Sequence, residues 1–533
     1  MLAGAAGCAG MRHGPPRAGM RALAGPAGPA AGAGFNLKYG GGVGQCRMPR
    51  GLSQAARRAP GPGHARRAAG RRATGRLAGQ AALAQKRNGT GRGSVASAGR
   101  EPGNGRGLEP SHENMCHNGL VWPNRPDPSG IAAAKVNGFL RLNKRLSVNP
   151  DTTRHMFLEG NNFDIMKLLQ KKYKNRIKVI YIDPPYNTMK NRLFVDKFGS
   201  SRRAAHSRWL DMMSPRLQLA RELLSEQGMI FVSIGTDEAY NLRFLLNEVF
   251  GEKNMVAEVV WHSKYTVSND ARFVSTQHEY ILIYAKDRAK SAFNLLPRTA
   301  KADKSYKNPD NDRRGPWKPT PLHAKSGSRN IRFRFKNIRK YDGTPVPPVA
   351  WTAPPGRYPR YSKRRLEELD RAGRITCGKD GTGTPNAKTY LCEVKPGVTS
   401  GSLWKHEDVG HTHEANEELA RLVGKGVFDN PKPVRLLKRI LDLATNAKDN
   451  DIVLDFFAGS GTTAHAVLLS NVADGGNRRF MCIQDNVVIN RGEYRTIGDV
   501  AMCRIKGAIR LLNKDRSAKK TDCGFQSLTL QYH

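Results

Sequence analysis

The sequence is short of acidic residues relative to basic ones, and this imbalance is its first informative feature. Only 45 Asp and Glu stand against 88 Lys and Arg, so the 533-residue chain has a formal net charge of +43. An excess of that size favours a polyanionic partner, because each Lys or Arg that neutralises a phosphate releases condensed counterions. Charge alone leaves DNA, RNA and an anionic membrane surface open.

Long apolar runs and paired cysteines are also missing. No apolar stretch approaches the roughly 20 residues of a membrane-spanning helix, which argues against a membrane span; the longest clusters, at 179–182, 229–232 and 280–285, have the length of buried strands. The eight cysteines contain no Cys-x-x-Cys pair, which indicates a reducing compartment and argues against structural zinc. His411 and His413 have no partner ligands at metal spacing, so we expect a solvated loop there and no metal.

Residues 1–110 consist largely of Gly, Ala, Pro and Arg. They carry 18 basic residues against Glu101 and Glu109, so +16 of the net charge lies in this segment and +27 in the rest of the chain. Such a segment buries too little apolar surface to offset its ordering entropy, and we predict a disordered basic tail. A secretory signal does not fit its first residues, and an organellar transit peptide is the alternative to a plain solvated arm or an over-extended reading frame.

From about residue 122 the sequence has the texture of a folded α/β protein. Apolar spacing predicts helices at 163–173, 206–227, 238–250, 414–423, 432–446 and 497–512, and another from Thr462. Strand-like runs lie at 177–182, 229–234, 256–261, 279–285, 452–456 and 480–483. We expect Pro215 to divide the second helix or begin a new one, and Asp237 to cap the third. Alternating strands and helices predict a largely parallel sheet covered on both faces.

Between residues 286 and 391 this regular pattern is lost. Lys, Arg, Pro, Gly and aromatic residues interleave there without a clear period. The stretch therefore predicts an inserted domain of irregular or β-rich structure, and α/β texture returns after it.

The first motif with chemical content is Asp183-Pro184-Pro185-Tyr186-Asn187, placed where an apolar strand ends. Open α/β sheets bind ligands at the carboxyl ends of their parallel strands. A carboxylate and a proline carbonyl held side by side can accept both hydrogens of an exocyclic amino group, and the tyrosine ring offers a face for stacking a base. An ordinary proline turn closing the strand is the structural alternative.

The second motif is the run from Asp455 to Thr463, which contains Phe457, Gly459 and Gly461. Glycines between a strand and a helix let a ligand approach the unpaired N–H groups of the helix N-terminus. A dinucleotide-binding loop is one interpretation, with Ala464 in place of its third glycine. Nothing else in the sequence indicates hydride chemistry.

Together, the two motifs resemble those of the amino-methyltransferases of DNA that use S-adenosylmethionine. The order of catalytic motif, target-recognition domain and cofactor loop is that of the family's β arrangement, whereas RNA and protein methyltransferases usually place the cofactor loop first. The family members with the most similar motifs are the modification (Mod) subunits of type III restriction–modification systems. The stretches 158–162, 209–213, 228–234 and 428–433 support this resemblance, which covers about residues 120–530.

The resemblance implies site residues, position by position. The catalytic segment would consist of Asp183, Pro184, Pro185 and Tyr186. The S-adenosylmethionine pocket would be formed by Asp455, Phe457, Gly459, Gly461, Thr462, Asn161, Phe428 and Lys432. The family usually has Asp at position 161, and an amide oxygen there could accept the same hydrogen bond without charge assistance. Asp at position 183 is typical of members that act on adenine N6, whereas cytosine-N4 enzymes often have Ser.

The implied fold is a Rossmann-like, circularly permuted α/β methyltransferase sheet. Residues 120–285 would form its catalytic half, 286–391 the target-recognition insert and 392–533 its cofactor-binding half. The implied function is site-specific methylation of adenine N6 in double-stranded DNA, with a second copy of the chain and a restriction subunit as further partners and the bacterial cytoplasm as location. A cytosine-N4 or RNA methyltransferase and an inactive DNA-binding remnant are the alternatives.

Overall fold

A computed structural model describes residues 122, 125–190, 193, 196–327, 330–514 and 521–533. The tail predicted over 1–110 lies outside the described residues. The chain divides into two compact units. The small unit contains Ala292–Leu403 and Arg439–Thr445, and the large unit contains the other described residues. By comparison, the sequence pattern suggested an insert over 286–391.

The described residues form 21 strands and 11 α-helices. The strands are β1 (Gly138–Leu142), β2 (Met156–Glu159), β3 (Ile177–Ile182), β4 (Leu224–Ile234), β5 (Met255–His262), β6 (His278–Ala285), β7 (Leu296–Pro297), β8 (Trp317–Pro321), β9 (His323–Ala324), β10 (Arg332–Phe335), β11 (Val349–Thr352), β12 (Tyr358–Pro359), β13 (Ile375–Thr376), β14 (Asn386–Tyr390), β15 (Gly397–Val398), β16 (Leu403–Trp404), β17 (Ile452–Asp455), β18 (Arg479–Gln484), β19 (Val488–Arg491), β20 (Tyr494–Thr496) and β21 (Gln526–Tyr532). The helices are α1 (Pro128–Ala133), α2 (Asn162–Tyr173), α3 (Arg202–Leu223), α4 (Ala239–Phe250), α5 (Ala300–Asp303), α6 (Lys363–Arg371), α7 (His406–Val409), α8 (Thr412–Val423), α9 (Val434–Ala444), α10 (Thr462–Asp474) and α11 (Ile497–Leu512). None of these helices combines the length and apolarity that crossing a bilayer requires.

A ten-stranded sheet organises the large unit, in the order β1-β21-β2-β18-β17-β3-β4-β6-β5-β16. The six strands from β21 to β4 run parallel, whereas β1, β6 and β5 pair antiparallel with their neighbours. Every residue of β17 is buried, as expected for a strand covered on both faces. The predicted α/β class is therefore confirmed.

The order of the strands reverses direction between β17 and β3. From β17 the chain passes through α10 to β18 on one side, and from β3 it passes through α3 to β4 on the other side. In open α/β sheets a crevice forms at the carboxyl ends of two such strands, since their connections leave in opposite directions. This topology puts the expected ligand site at the carboxyl ends of β17 and β3.

Helix α3 corrects the interpretation of Pro215. The helix runs without a break from Arg202 to Leu223 and contains Pro215 in its interior. A proline there removes one backbone hydrogen bond and costs about 3 kcal/mol or more. Helix α3 buries Trp209, Leu210 and eight further residues, so we attribute its continuity to tertiary packing that outweighs this cost.

Two helix beginnings also differ from the prediction. Helix α4 begins at Ala239 with Glu238 at its N-cap, whereas Asp237 pairs with Arg202 at 3.1 Å. Asp237 is therefore not the cap, because the helix begins one residue later than expected and Asp237 lies before its N-cap. His411 and His413 do not lie in a loop either. His411 is the N-cap of α8 and accepts a hydrogen bond from the Glu414 N–H, and His413 lies within that helix.

The small unit consists mostly of short strands around its own core. Its three-stranded sheet has the order β13-β14-β8, and β10 and β11 form a separate antiparallel ribbon. The core side chains include Leu322, Phe335, Ile338, Trp351, Leu366 and Ile375. Along β10 the exposed Arg332 and Arg334 alternate with Phe333 and the buried Phe335. The unit is thus β-rich, and its ribbon presents two guanidinium groups to solvent.

Candidate active site

The two sequence motifs lie side by side at the carboxyl edge of the parallel strands. Strands β17 and β3 are direct parallel neighbours, with Val453 opposite Val179 and Leu454 opposite Ile180. Asp455 is the last residue of β17, and Asp183 directly follows β3. The fold therefore joins two segments that are far apart in the sequence into one site.

The segment 183–187 is fixed by contacts from several elements of the large unit. Trp209 Nε1 donates a hydrogen bond of 2.7 Å to the Pro185 carbonyl. A Cβ on Gly235 would lie 2.8 Å from Tyr186 Cδ2, so only glycine at the end of β4 lets this ring approach so closely. Asn187 has a positive φ of 55°, and its amide donates to Glu238 Oε1 at 2.5 Å. The orientation of segment 183–187 is thus set by packing that surrounds it.

A buried cluster of charges surrounds Asp183. Lys432 Nζ lies 2.7 Å from Asp183 Oδ1 and 3.4 Å from Glu279 Oε2. The Tyr186 hydroxyl lies 3.0 Å from Asp183 Oδ1 and 2.7 Å from Glu279 Oε2. The Lys432 ammonium also lies over the rings of Tyr186 and Trp261, 5.0 and 5.8 Å from their centroids. One ammonium group therefore pairs with two carboxylates, and two aromatic rings lie next to it.

Burial changes the proton affinities of this cluster. It raises the pKa of Asp183, and the attraction of Lys432 offsets the shift only in part. Burial disfavours the Lys432 ammonium, but Asp183 and Glu279 outweigh that effect and the pKa of Lys432 is raised. Burial and the same two carboxylates raise the pKa of Tyr186 well above its usual value. Lys432 therefore stays charged and Tyr186 stays a hydrogen-bond donor, whereas Asp183 has an increased affinity for a proton.

The second motif forms a glycine loop, residues 457–461, between β17 and α10. Asp455 holds the start of the loop, since its carboxylate accepts hydrogen bonds from the Phe457 N–H at 3.1 Å and the Thr463 hydroxyl at 2.5 Å. Burial raises the pKa of Asp455 to about 7. Gly459 and Gly461 have φ values of +52° and +78°, a region that side-chain-bearing residues rarely adopt. The loop conformation therefore depends on both glycines.

Lys432 and Phe428 connect the glycine loop to the segment before α9. The Thr462 hydroxyl donates to the Lys432 carbonyl at 3.3 Å, while the Lys432 side chain reaches Asp183. A Cβ on Gly459 would lie 3.3 Å from Phe428 Cζ. Phe428 thus lies against the loop. Lys432 was expected in the cofactor pocket; its carbonyl contacts Thr462, and its side chain contacts Asp183 and Glu279.

Arg504 of α11 lies beneath the glycine loop, and the motifs did not reveal it. It is fully buried and donates to the Thr462 hydroxyl at 2.6 Å and to the Ser460 hydroxyl at 3.0 Å. Its guanidinium also lies 3.9 Å from Glu418 Oε2. A buried, charge-assisted donor of this kind fixes the loop in one position.

Asn161 and Asn162 lie at the start of α2, next to the residue that follows β17. The Asn161 side chain caps α2 by accepting hydrogen bonds from the N–H groups of Phe163 and Asp164. The next residue, Asn162, donates to the Phe456 carbonyl at 2.7 Å. Gln484 accepts a hydrogen bond of 2.7 Å from the Gly459 N–H. Asn161 is therefore partly committed to helix capping, and Gln484 is an additional residue that orients the loop.

Some residues near the site were not identified from the sequence motifs, because only the tertiary structure brings them to the site. Glu279 belongs to β6, which pairs antiparallel with β4, so the beginning of β6 lies at the edge where β4 ends. An acidic residue at the beginning of an apolar strand was the only signal for Glu279 in the sequence. Trp261, Gln484 and Arg504 carried no such signal.

The arrangement fits a cofactor with an anionic or amino-acid group. The N-cap of α10 is Gly461, which supplies no side-chain hydrogen bond to the first turn. The backbone N–H groups in the first turn of such a helix suit an anionic ligand. Among the described residues, no group of three or more His, Cys, Asp and Glu side chains is arranged to hold a metal ion.

Several known proteins are similar to this chain over more than half of its length. The model of a family described as DNA methylase matches residues 177–483. The Mod subunit of the type III enzyme StyLTI from Salmonella typhimurium is 36% identical over 405 residues, which cover 70% of this chain and 60% of that protein. The EcoPI Mod subunit of Escherichia phage P1 is 30% identical over 448 residues, which cover 74% of this chain and 68% of that protein. A solved M1.HpyAVI–SAM complex is 15% identical and covers 66% of this chain and 98% of its own, with a TM-score of 0.30.

Proposed function

The chain belongs to the DNA methylase family, and from that premise we propose that it transfers a methyl group from S-adenosylmethionine to adenine N6 in double-stranded DNA. The observation that carries the proposal is the adjacency of Asp183 and Asp455 at the ends of β3 and β17. A group held beside the glycine loop and a base held by the catalytic segment would meet at this edge of the sheet. The chain spans about 60% of the length of the StyLTI Mod subunit.

The catalytic segment binds the target base. An adenine inside a duplex is out of reach, so it must be flipped into the site at a cost of a few kcal/mol. The Asp183 carboxylate and the Pro184 carbonyl accept hydrogen bonds from the amino group, and the Tyr186 ring stacks on the base. Pro185 fixes this geometry through its hydrogen bond with Trp209. Positioning, together with stabilisation of the positive charge that develops on nitrogen, is the main contribution of these residues.

The glycine loop holds the methyl donor. When bound, S-adenosylmethionine supplies a methyl group that its positively charged sulfonium sulfur makes electrophilic. Gly459, Gly461 and Thr462 line the approach to the α10 N-terminus, where backbone N–H groups suit a carboxylate. Asp455 and Arg504 keep this loop in place. Phe457 and Phe428 supply apolar surface next to it, and Asn161 lies at the end of β2.

The preference for adenine rests on Asp183, which the resemblance associates with adenine N6. A cytosine-N4 or RNA methyltransferase would use the same cofactor loop, and nucleoside analysis distinguishes these products. The names of the StyLTI and EcoPI relatives further support a modification component of a type III restriction–modification system. We therefore propose a restriction subunit and a second copy of this chain as partners, and the cytoplasm of a bacterial-type cell as the location.

The small unit reads the DNA sequence in this proposal. Its β10–β11 ribbon has the width that the major groove accepts, and Arg can pair bidentately with guanine. Arg332 and Arg334 are exposed on one face of β10. Other basic residues of the unit would contact phosphates, which fix register without reading bases.

The test is transfer of radiolabelled methyl groups to unmethylated plasmid DNA, followed by digestion and nucleoside analysis. We expect label in N6-methyldeoxyadenosine, and methylation-sensitive sequencing of the same DNA gives the recognition site. Label in N4-methylcytosine would overturn the adenine assignment, and transfer to RNA alone would overturn the assignment of DNA as substrate. Binding of S-adenosylmethionine without transfer to any nucleic acid would indicate an inactive remnant.

A further inference from the structure

One phenol hydroxyl lies between two carboxylates at the active site. The Tyr186 oxygen is 3.0 Å from Asp183 Oδ1 and 2.7 Å from Glu279 Oε2. A phenol has one hydrogen to donate. When both carboxylates are ionised, the phenol hydrogen can point to only one of them, so only one of the two contacts is a hydrogen bond. In the other contact, the phenol oxygen faces a carboxylate oxygen with no hydrogen between them. Both contacts become hydrogen bonds when one carboxyl group is protonated, because it then donates to the phenol oxygen.

The charges of the cluster also indicate that it binds one additional proton. Asp183 and Glu279 share the single ammonium of Lys432, so the ionised cluster has a net charge of −1 and one proton neutralises it. Tyr181 and Asp455 are the further titratable groups that act on the cluster, and neither adds a positive charge. Burial raises the pKa of Asp183 and makes net charge in this place unfavourable. The cluster is therefore suited to accept one proton.

We propose that Glu279 is the residue that takes up the proton released during methyl transfer, through the hydroxyl of Tyr186. This inference rests on the proposed function, in which Asp183 contacts the target amino group. Asp183 must return to its ionised form before it can accept a hydrogen bond from the next amino group. Glu279, on β6, makes no contact with the base in that arrangement, so it can hold the proton meanwhile.

The proton transfer balances as follows. The methylated nitrogen is positively charged, and one of its N–H bonds breaks with the electron pair remaining on nitrogen. The proton forms an O–H bond with the Asp183 carboxylate. Asp183 then passes a proton to the Tyr186 oxygen as Tyr186 passes its own hydrogen to Glu279. Asp183 is again an anion, Tyr186 is again a neutral phenol, and Glu279 is a neutral acid that later releases its proton to water.

The test compares Glu279→Gln with the wild-type enzyme in multiple-turnover transfer between pH 6 and pH 9, because the proposed step restores Asp183 for the next amino group. Gln retains the shape of Glu and can donate an N–H to Tyr186, so the folded cluster stays hydrogen-bonded. We expect transfer to slow by about 100-fold at pH 6 to 7, at the lower end of the range that proton transfer contributes in enzymes, and to recover as pH rises. Affinity for S-adenosylmethionine should change by less than about threefold, because Glu279 belongs to the catalytic cluster rather than to the glycine loop.

Three further measurements separate proton transfer from a structural role. Tyr186→Phe keeps the ring but removes the relay, and it should show the same pH-dependent loss. Formate should restore part of the rate of Glu279→Ala, since it supplies a carboxylate in the vacated space. Glu258→Gln, on the exposed part of β5 and paired with Arg243, is the matched control and should keep the wild-type profile.

The outcomes distinguish the inference from the proposed function. If the wild-type enzyme methylates adenine and Glu279→Gln has the same rate and pH profile, the role of Glu279 is wrong. A loss of activity at every pH, together with unfolding or loss of cofactor binding and no rescue by formate, would assign Glu279 a structural role and overturn the inference too. Absence of transfer by the wild-type enzyme would instead overturn the proposed function.

Discussion

The Lys432 ammonium lies 2.7 Å from the Asp183 carboxylate, although 249 positions separate the two residues in the sequence. The backbone of Lys432 accepts a hydrogen bond from Thr462, the residue that directly follows the glycine loop. This residue therefore contacts both motifs. A displacement of the glycine loop would be transmitted through Lys432 to the charge balance around Asp183.

Lys432→Met should impair both folding stability and transfer. The substitution leaves the Asp183 and Glu279 carboxylates without their ammonium, and breaking a buried ion pair in this way costs about 3–5 kcal/mol. Asp183 should then bind a proton at higher pH, so transfer at neutral pH falls by about tenfold or more. Denaturant unfolding and single-turnover rates measure the two effects, and Lys171→Met on the surface of α2 is the control. Unchanged values in both assays would contradict the role of Lys432.

Asp183→Asn and Asp183→Ala should abolish transfer while cofactor binding survives. Both variants lose the charged acceptor for the amino hydrogens, and removal of such an interaction reduces rates by about 10²- to 10⁴-fold. Equilibrium binding of S-adenosylmethionine should stay within about threefold of wild type, because the carboxylate is absent from the proposed cofactor pocket. If cofactor affinity falls as far as the rate does, Asp183 belongs to the cofactor site.

Gly461→Ala should weaken cofactor binding more than it weakens the fold. The φ of +78° strains any residue with a Cβ, at about 1–2 kcal/mol, and the added carbon would lie 3.3 Å from the Ala501 carbonyl oxygen. Gly475→Ala is a matched control, because Gly475 has a φ of +61° at the other end of α10. We expect a comparable drop in unfolding free energy for both and a loss of cofactor affinity for Gly461→Ala alone. Equal affinities would show that the loop tolerates the change.

Asp455→Asn should alter the pH dependence of stability. Burial raises the pKa of Asp455 to about 7, above its value of about 4 in the unfolded chain. Between these values the folded state binds the extra proton, so the contribution of Asp455 to stability is lost as pH rises towards 7. Relative to wild type, Asp455→Asn should gain about 2–3 kcal/mol on going from pH 5 to pH 8. Denaturant unfolding at both pH values gives the difference, and a constant difference would contradict the raised pKa.

Arg332→Ala and Arg334→Ala should separate base reading from phosphate binding. A phosphate contact that is lost reduces the slope of log affinity against log salt by about one for all DNA sequences alike, whereas a lost base contact costs about 1–3 kcal/mol at one position of the site. Fluorescence anisotropy with specific and unrelated duplexes at several salt concentrations distinguishes the two. Arg371→Ala, at the end of α6, serves as a comparison. No effect of either variant on DNA binding would exclude the β10–β11 ribbon from the interface.

The sequence predicted the strands and helices whose bounds follow from the spacing of their own apolar residues. Strand β3 was predicted with its observed bounds, because an apolar run bounded by polar residues is typical of a strand buried on both faces. Helix α11 was predicted with equal accuracy from its apolar spacing. Pro215 was misinterpreted because its local cost is outweighed by the packing of α3. Asp237 was misinterpreted because α4 begins one residue later than expected, so Asp237 lies before its N-cap.

Candidate site residues could be named from the sequence where they lie in a recognisable motif. Contacts between residues of distant elements could not be predicted. The sequence contains Asp183 and Gly459 within recognisable patterns, and the structure brings their segments together. The partnership of Asp183 with Glu279 depends on β6 pairing antiparallel with β4. No spacing along the chain encodes that pairing, so neither Glu279 nor the catalytic position of the Lys432 side chain could be predicted.

The pairing of β1 with β21 affects whether the protein stays in one piece after its chain is cut. Gly138 of β1 lies opposite Tyr532 of β21, and β21 also pairs with β2. Strands that precede the small unit in the sequence therefore pair with strands that follow it, both at this sheet edge and where β3 pairs with β17. A protease cut within Ala292–Leu403 would leave two fragments, each of which contributes strands to the same sheet. The nicked molecule should therefore sediment as a single particle, and two separately expressed fragments should reassemble by completing each other's sheet.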